Sequence, residues 1–362
     1  MDRFVDQTRC PGLAVALFDR AGIRHVIARG FSDLGARTPI SPSTLFQIAS
    51  ITKTFTAIAV LQQWEAGRID LSAPVTDYLP RFPVRGDPPI TVHHLLTHTG
   101  GVEVGSNSIT STKYQVAVLK GIHPAGSVFS YSNAGYDALG CILEAVTGRT
   151  FPEIIQAGIL DPLYLAATEP VIRIDTYSRL ATGYRNLYDD RPRQARHPWI
   201  PAAVEVCEEP SGCIASTALD LAEFSRMLLN GGAGPMGRIL SEEGFSRLTQ
   251  PAVRSGDSSW YGYGVYLLER DGNTWLYHSG GTAGYRSLYL VDRAHGTGVV
   301  ILANARMEVG PAQMGWSGRL SGRPCQVRPV PVALRAPRWG GCRAIPWARL
   351  VRQRQIRRPH AV

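Results

Sequence analysis

No apolar stretch of this chain approaches the ~18 residues that a membrane-spanning helix needs, so no membrane span is expected. Cysteine is sparse and unpatterned. Cys10, Cys141, Cys207, Cys213, Cys325 and Cys342 form no CxxC pair and no zinc-binding spacing, and reduced structural thiols are the plain reading. Acidic residues are missing from the end of the chain: residues 310–362 hold 11 arginines, no lysine and no Asp or Glu. Removing those arginines from the formal net charge of +9 leaves residues 1–309 at −2. The basic balance is therefore no argument that the body binds nucleic acid or a membrane surface. No internal repeat is present. The opening "MDRFVDQTRCPGLAVALFDR" has acidic residues before a short apolar run and no small-residue cleavage site after it. No signal peptide is read there, and a cytoplasmic location is expected, or a periplasmic or secreted one if an upstream segment is missing.

What remains is globular. With 362 residues, 44% of them apolar and 19% charged, the chain can bury a sizeable core in one or two domains. "GLAVALFD" (12–19) and "RHVIARGF" (24–31), separated by Arg20-Ala21-Gly22, predict a hairpin. A helix is expected from about Ile51 to Ala66, ending at Gly67, and a short one in "TVHHLLTHTGG", stopped by Gly100-Gly101. Residues 133–148 have helical spacing with a glycine stop, and 216–232 read as a capped helix. Residues 170–200 show no period and are read as irregular. Four strand-like runs follow at 263–270, 274–280, 286–292 and 298–305, with a hairpin signal at Asp271-Gly272. Strands at both ends with helices between predict one antiparallel sheet built from both chain ends, with a helical region inserted and the first helix covering the sheet.

Three short motifs carry possible chemistry. "FQIASITKTFTA" places Ser50 one turn before Lys53 on one helix face, among apolar neighbours. Free N–H groups at a helix start favour a developing oxyanion. A lysine whose charged form is penalised by apolar surroundings can take a serine proton. "FSYSNAGY" offers Tyr131, which can share a proton with a lysine, and Asn133, which can hold a carbonyl. "LYHSGGTAGYRS" offers His278-Ser279-Gly280-Gly281 at a strand end, where small residues allow close backbone approach. Each has a plain structural reading alone: a capping serine with a snorkelling lysine, a helix start capped by Ser132 or Asn133, and a glycine-rich turn. In this order on helix, loop and strand, the plain readings require three coincidences.

With these phrases the chain resembles the serine beta-lactamase and penicillin-binding-protein superfamily, specifically the class C beta-lactamase-like group, from about Pro11 to about Ala305. The scaffold phrases "ITVHHLLTHTGG", "FSYSNAGYDALGCILEAVTGRTF" and "SGCIASTALDLAEFSRMLLNGG" are similar as well. The resemblance implies an α/β (α+β) beta-lactamase/transpeptidase-like fold. It divides the chain into a hydrolase domain over 1–309 (sheet region about 1–66 and 215–309, helical region about 67–214) and a tail over 310–362. It also implies a serine hydrolase acting through an acyl-enzyme, with Ser50 as nucleophile, Lys53 as base and Tyr131 as proton shuttle. Asn133, His278, Ser279 and Gly280 would bind substrate, and the backbone N–H groups of Ser50 and Gly281 would form the oxyanion hole. Small esters, amides or D-amino-acid peptides are the expected substrates, without a cofactor; the alternatives are a true beta-lactamase or a non-catalytic scaffold or binding relative.

The departures from that pattern carry expectations too. The third motif starts with His278 where many beta-lactamases have lysine. At an ordinary pKa of ~6.5 it is mostly neutral at pH 7, which weakens the penicillinase reading. It is expected to titrate near that value and to bind a substrate carboxylate better below it. Tyr164 stands where relatives usually have glycine. His93, His94 and His98 invite a metal, but no Glu completes H-E-x-x-H and none is expected. No G-x-S-x-G elbow is present, and the tail's "RQRQIRR" lacks a folded platform for nucleic acid. The tail breaks at Pro or Gly every few residues. Its Arg, Pro, Gly, Ala, Trp and Cys without acids suit a GC-rich gene read out of frame just after Ala305. It is expected to be disordered, leaving apolar sheet surface uncovered.

Overall fold

The computed structural model describes residues 10–104, 116–117, 119–188, 197–203, 209–270 and 272–305. The basic tail, its reading-frame hypothesis and Cys207, Cys325 and Cys342 lie outside these residues. Nine strands form one antiparallel sheet: β1 (Gly12–Asp19), β2 (Ile23–Asp33), β3 (Thr38–Pro39), β4 (Val253–Gly256), β5 (Ser259–Tyr261), β6 (Tyr266–Arg270), β7 (Asn273–Gly281), β8 (Arg286–Asp292) and β9 (Thr297–Ala303). Their order is β4-β5-β6-β7-β8-β9-β1-β2-β3, so the first and last parts of the fold meet where β1 pairs with β9, Leu13 opposite Ala303 through Asp19 opposite Thr297. This is the mixed α/β architecture expected from strands at both ends.

Alternation decides which side chains face where. Ala14, Ala16 and Phe18 of β1 join Val300 and Leu302 of β9 in the large core on the helical side. Leu13, Val15 and Leu17 join Val299 and Ile301 in a second cluster on the opposite face, together with Cys10, Tyr184 and Trp275. Both sets are buried. Packing with Cys10 and Tyr184, and with Ile27, Leu34, Trp199 and Tyr277 at the margin, accompanies their burial. The expectation of an uncovered face rests on the tail, which lies outside the described residues.

Five helices matter for the site: α1 (Thr52–Glu65), α2 (Val92–Leu96), α3 (Asn133–Thr147), α4 (Ala218–Leu229) and α5 (Glu242–Thr249). Every residue of α1 from Thr52 to Leu61 is buried. A helix covered on all sides cannot be a surface helix; α1 is wedged between the sheet and the other helices. Phe55 stacks on Phe224 of α4 at 3.8 Å, and Phe224 meets Tyr289 of β8 edge-on. The polar residues of α1 are each bonded: Thr54 donates to the Gly264 carbonyl, Thr56 to that of Pro210, and Thr52 Oγ1 accepts from Ile214 N. Buried polar groups require such partners.

Three local expectations are corrected. The helix in "TVHHLLTHTGG" ends at Thr97, before the glycines, because His98 itself adopts a left-handed φ of 58°. The stretch read as irregular contains a short helix at Ile174–Tyr177 and a two-stranded pairing of Tyr184–Asn186 with Trp199–Pro201, too short to leave a period. The edge strands β4 and β5 were not foreseen. Tyr164, where the resemblance implies a glycine, has a φ of 55° and is 67% exposed, so it bears left-handed strain without compensating burial. Tyr164→Gly is expected to stabilise the fold by ~0.5–1 kcal/mol, the strain relief less glycine's entropy cost, measured as a higher urea midpoint at unchanged m-value.

Candidate active site

Ser50 lies in a 3-10 turn, Ala49–Ile51, that leads into α1. The residue before it, Ala49, has a φ of 48°, a strained conformation that turns the chain sharply and that held structure must support. That support is visible one residue earlier. The Ile48 carbonyl accepts from Ser287 Oγ of β8 at 2.7 Å, and Ile48 N donates to the Ile214 carbonyl. β7 presses on the same point: a Cβ added to Gly280 would lie 2.0 Å from the Ile48 oxygen. Gly280 is thus required by close approach of the strand to the serine turn, with Ser279 and Gly281 on either side of it.

Lys53 is fully buried. Its Nζ donates to Asn133 Oδ1 at 2.7 Å and to the Ser211 carbonyl at 2.8 Å, and lies 3.4 Å from Ser50 Oγ. Burial drives its pKa well below that of an ordinary lysine, while the charges of Asp137 and Glu209 pull the other way. The amine also sits 4.8 Å from the Tyr131 ring centre and 5.6 Å from that of Tyr136. Asn133 is free to turn inward because Ser132 is the residue that caps α3: its Oγ accepts from Gly135 N and donates to the Val102 carbonyl. Tyr131 is 40% exposed as a residue, but its hydroxyl end is sunk against Ser50, to which it hydrogen-bonds; burial raises its pKa, so it is a phenol at neutral pH. Ser50, Lys53, Tyr131 and Asn133 are therefore brought together.

His278 sits on β7 and is buried. Its Nδ1 meets the Ser279 carbonyl at 2.8 Å and its Nε2 the Tyr261 hydroxyl at 3.2 Å. Burial and the nearby Lys53 charge push its pKa down to about 3. The expected ionisation near 6.5, and the pH-dependent carboxylate contact built on it, are corrected accordingly: the ring stays neutral across the working range, with both nitrogens engaged. His93 and His94 have structural tasks. His94 accepts from Thr91 N in the cap of α2, and His93 bonds the Tyr263 hydroxyl.

Two groups escaped the sequence reading. Asp137 is buried and its Oδ1 accepts from Ser211 N, so the Ser211 peptide bridges Asp137 to Lys53. Burial raises the Asp137 pKa, Glu209 adds to that, and the Ser211 bond and Lys53 oppose it. Its spacing from Asn133, four residues along α3, was a usable signal. Ser211 offered none, because it contributes only backbone.

Residues 1–321 match the family model described as Beta-lactamase. The chain belongs to the beta-lactamase family. Similar proteins include penicillin-binding protein 4 of Amycolatopsis lactamdurans, 27% identical over 314 residues that cover 81% of each chain. Protein flp of Staphylococcus aureus (strain COL) is 25% identical over 321 residues, 83% of this chain but 61% of flp, so the chain spans less than two thirds of that relative. Among solved structures, the penicillin binding protein from Bacillus halodurans superposes with a TM-score of 0.73 at 26% identity, over 85% of this chain and 95% of that one. EstCE1, a hydrolase with promiscuous acyltransferase activity, has the same fold, with a TM-score of 0.70 at 22% identity over 88% and 93%.

Gly280→Ala is expected to push β7 off the serine turn and, with Gly281 N–H displaced from its expected place as an oxyanion donor, to slow labelling of Ser50 by a fluorescent phosphonate by ~10²-fold. Labelling rates, with circular dichroism showing a retained fold, check this.

Proposed function

We propose that this beta-lactamase-family chain is a serine hydrolase that forms an acyl-enzyme on Ser50 and prefers neutral acyl substrates, esters before D-amino-acid amides and both before beta-lactams. The observation that carries the reading is the set of partners around Lys53 Nζ. Asn133 Oδ1 and the Ser211 carbonyl can only accept. A neutral amine spends its two N–H bonds on them, and its lone pair is left facing Ser50 Oγ. The pKa lowered by burial populates that neutral form.

In the proposed reaction Lys53 takes the Ser50 proton as Oγ bonds to the acyl carbon. The oxyanion is held by the backbone N–H groups of Ser50 and Gly281. Tyr131, a phenol, gives its proton to the departing alkoxide or amine as the carbon–oxygen or carbon–nitrogen bond breaks, and recovers one from Lys53. Water then attacks the acyl carbon and gives one proton to the Lys53–Tyr131 pair; the bond to Oγ breaks, Oγ takes that proton back, and the acid product leaves. Neutral His278 supplies no cation for a substrate carboxylate, which supports the preference for uncharged acyl groups, and the similarity to penicillin-binding proteins keeps D-amino-acid substrates in the panel. Mass spectrometry after incubation with a p-nitrophenyl ester tests the core of the proposal. A single acyl adduct on Ser50, absent from Ser50→Ala, is expected; an adduct elsewhere removes the assignment. Lys53→Arg should lose at least ~10³-fold, because a guanidinium cannot take the proton.

The pH profile has a defined sign. If neutral Lys53 is the reactive form, kcat/KM rises with pH through the Lys53 ionisation. Asp137 raises that pKa, so Asp137→Asn lowers it and moves the rising limb to lower pH, while the Ser211 bond to Oδ1 is retained. His278 contributes no limb near 6.5. Rates on a neutral ester across pH 5–9 for the two proteins measure the shift; a limb moving to higher pH contradicts the proposed base.

A further inference from the structure

His98 was left aside as a rejected metal ligand, yet it holds both sides of Tyr131. Its carbonyl accepts from Ser130 N at 2.8 Å, and its Nδ1 accepts from Ser132 N at 3.0 Å. The left-handed φ of 58° presents carbonyl and ring to the same loop. Its ring packs 4.3 Å from that of Tyr131, centre to centre. On its other side, His98 Nε2 lies 3.2 Å from the Tyr261 hydroxyl, which lies 3.2 Å from His278 Nε2.

Donor and acceptor roles along this line are determined by its two ends. A backbone N–H can only donate, so His98 Nδ1 carries no proton and the proton of the neutral ring is on Nε2. A backbone carbonyl can only accept, so His278 Nδ1 carries the proton and Nε2 is bare. Tyr261 then accepts from His98 and donates to His278. Each of the four contacts has one donor and one acceptor, in a single direction from Ser132 to Ser279. The Tyr136 hydroxyl is also hydrogen-bonded to Tyr261; its own proton goes to the Leu96 carbonyl at 2.8 Å, so it accepts from Tyr261, and the Tyr261 proton points away from His98 in either contact.

We propose that His98 and Tyr261 are positioning residues that join the loop carrying Tyr131 and Asn133 to the strand carrying His278, Gly280 and Gly281, by a charge-free, one-way hydrogen-bond chain that fixes the two histidines as opposite tautomers. The chain ties two walls of the cleft whose motifs are far apart in sequence, so that the proton-donating side and the oxyanion side keep a constant separation. The groups facing it are consistent with neutrality. His98 looks onto Tyr131, Tyr136, Tyr261 and Phe129 and feels the Lys53 charge; His278 looks onto Tyr261 and Tyr266 and feels the same charge. Burial and Lys53 oppose protonation of either ring, His278 adds to this at His98, and the bond to the Ser279 carbonyl acts the other way at His278.

The tautomer half of the proposal stands independently of the proposed hydrolase reaction; only the rate arm rests on it. Long-range nitrogen–proton NMR correlation on the full, uniformly 15N-labelled protein reads both rings. His98 should be protonated on Nε2 alone and His278 on Nδ1 alone, with neither titrating from pH 5 to 9. Matching tautomers, or titration of either ring, overturns the chain. Tyr261→Phe removes both central bonds. The end contacts to Ser132 N and the Ser279 carbonyl remain, so both tautomers should persist, while kcat on a neutral ester falls by roughly ten- to a hundredfold through misplacement, with little change in KM. A Tyr261→Phe rate within twofold of the parent overturns the positioning role. If the tautomers are as stated but wild-type Ser50 takes up no acyl group, the hydrolase reading fails and the chain stands.

Discussion

The site depends on keeping one amine out of water. Lys53 is surrounded by α1 neighbours, two tyrosine rings and the Ser211 carbonyl, and no solvent shell stabilises its charged form. Removing an ammonium from water costs several kcal/mol unless partners compensate. Here the compensation is partial: two neutral oxygens at bonding distance, and carboxylates that act at longer range. The environment is therefore poised, holding the charged form but not strongly. The composition of the chain underlines the choice. Only three of its 38 basic residues are lysines, Lys53, Lys113 and Lys120. Arginine, used nearly everywhere else, cannot give up its proton.

Burial on this scale is only possible because α1 is central. The sheet covers one side of it, and the segment from Pro210 to Ile214 crosses another, bonded to Thr56, Lys53 and Thr52 in turn. The same segment is held from behind by Asp137 through Ser211 N. Architecture and electrostatics are thus one arrangement: the backbone that fills space over α1 also supplies the oxygen that accepts one lysine hydrogen bond.

The sheet, its hairpins and the principal helices were legible from periodicity and turn residues, since long amphipathic or apolar segments advertise themselves. α3 was foreseen with its glycine stop, and Gly148 has the left-handed φ of 68° that such a stop uses. The early end of α2 was not, because a histidine in the left-handed region leaves no compositional mark. Of the site, Ser50, Lys53, Tyr131 and Asn133 were legible as motifs and are adjacent in space. His278 was found by position but misjudged in chemistry: sequence gives an ordinary pKa, and only the fold reveals a ring with both nitrogens bonded. Ser211 and Ile48 act through backbone atoms, which every residue has, so nothing in their side chains could have singled them out.

The contact between Gly280 and the Ile48 oxygen has a consequence for how such a site could diversify. Its serine turn and its strand touch backbone to backbone, leaving no side chain between them to enlarge or shrink. Variation in what the cleft accepts is therefore confined to the side away from this contact, where Tyr131 is open to solvent. In the proposed reaction the wall that meets the acyl carbonyl is a fixed datum, and a change in substrate range has to come from the side that carries Tyr131.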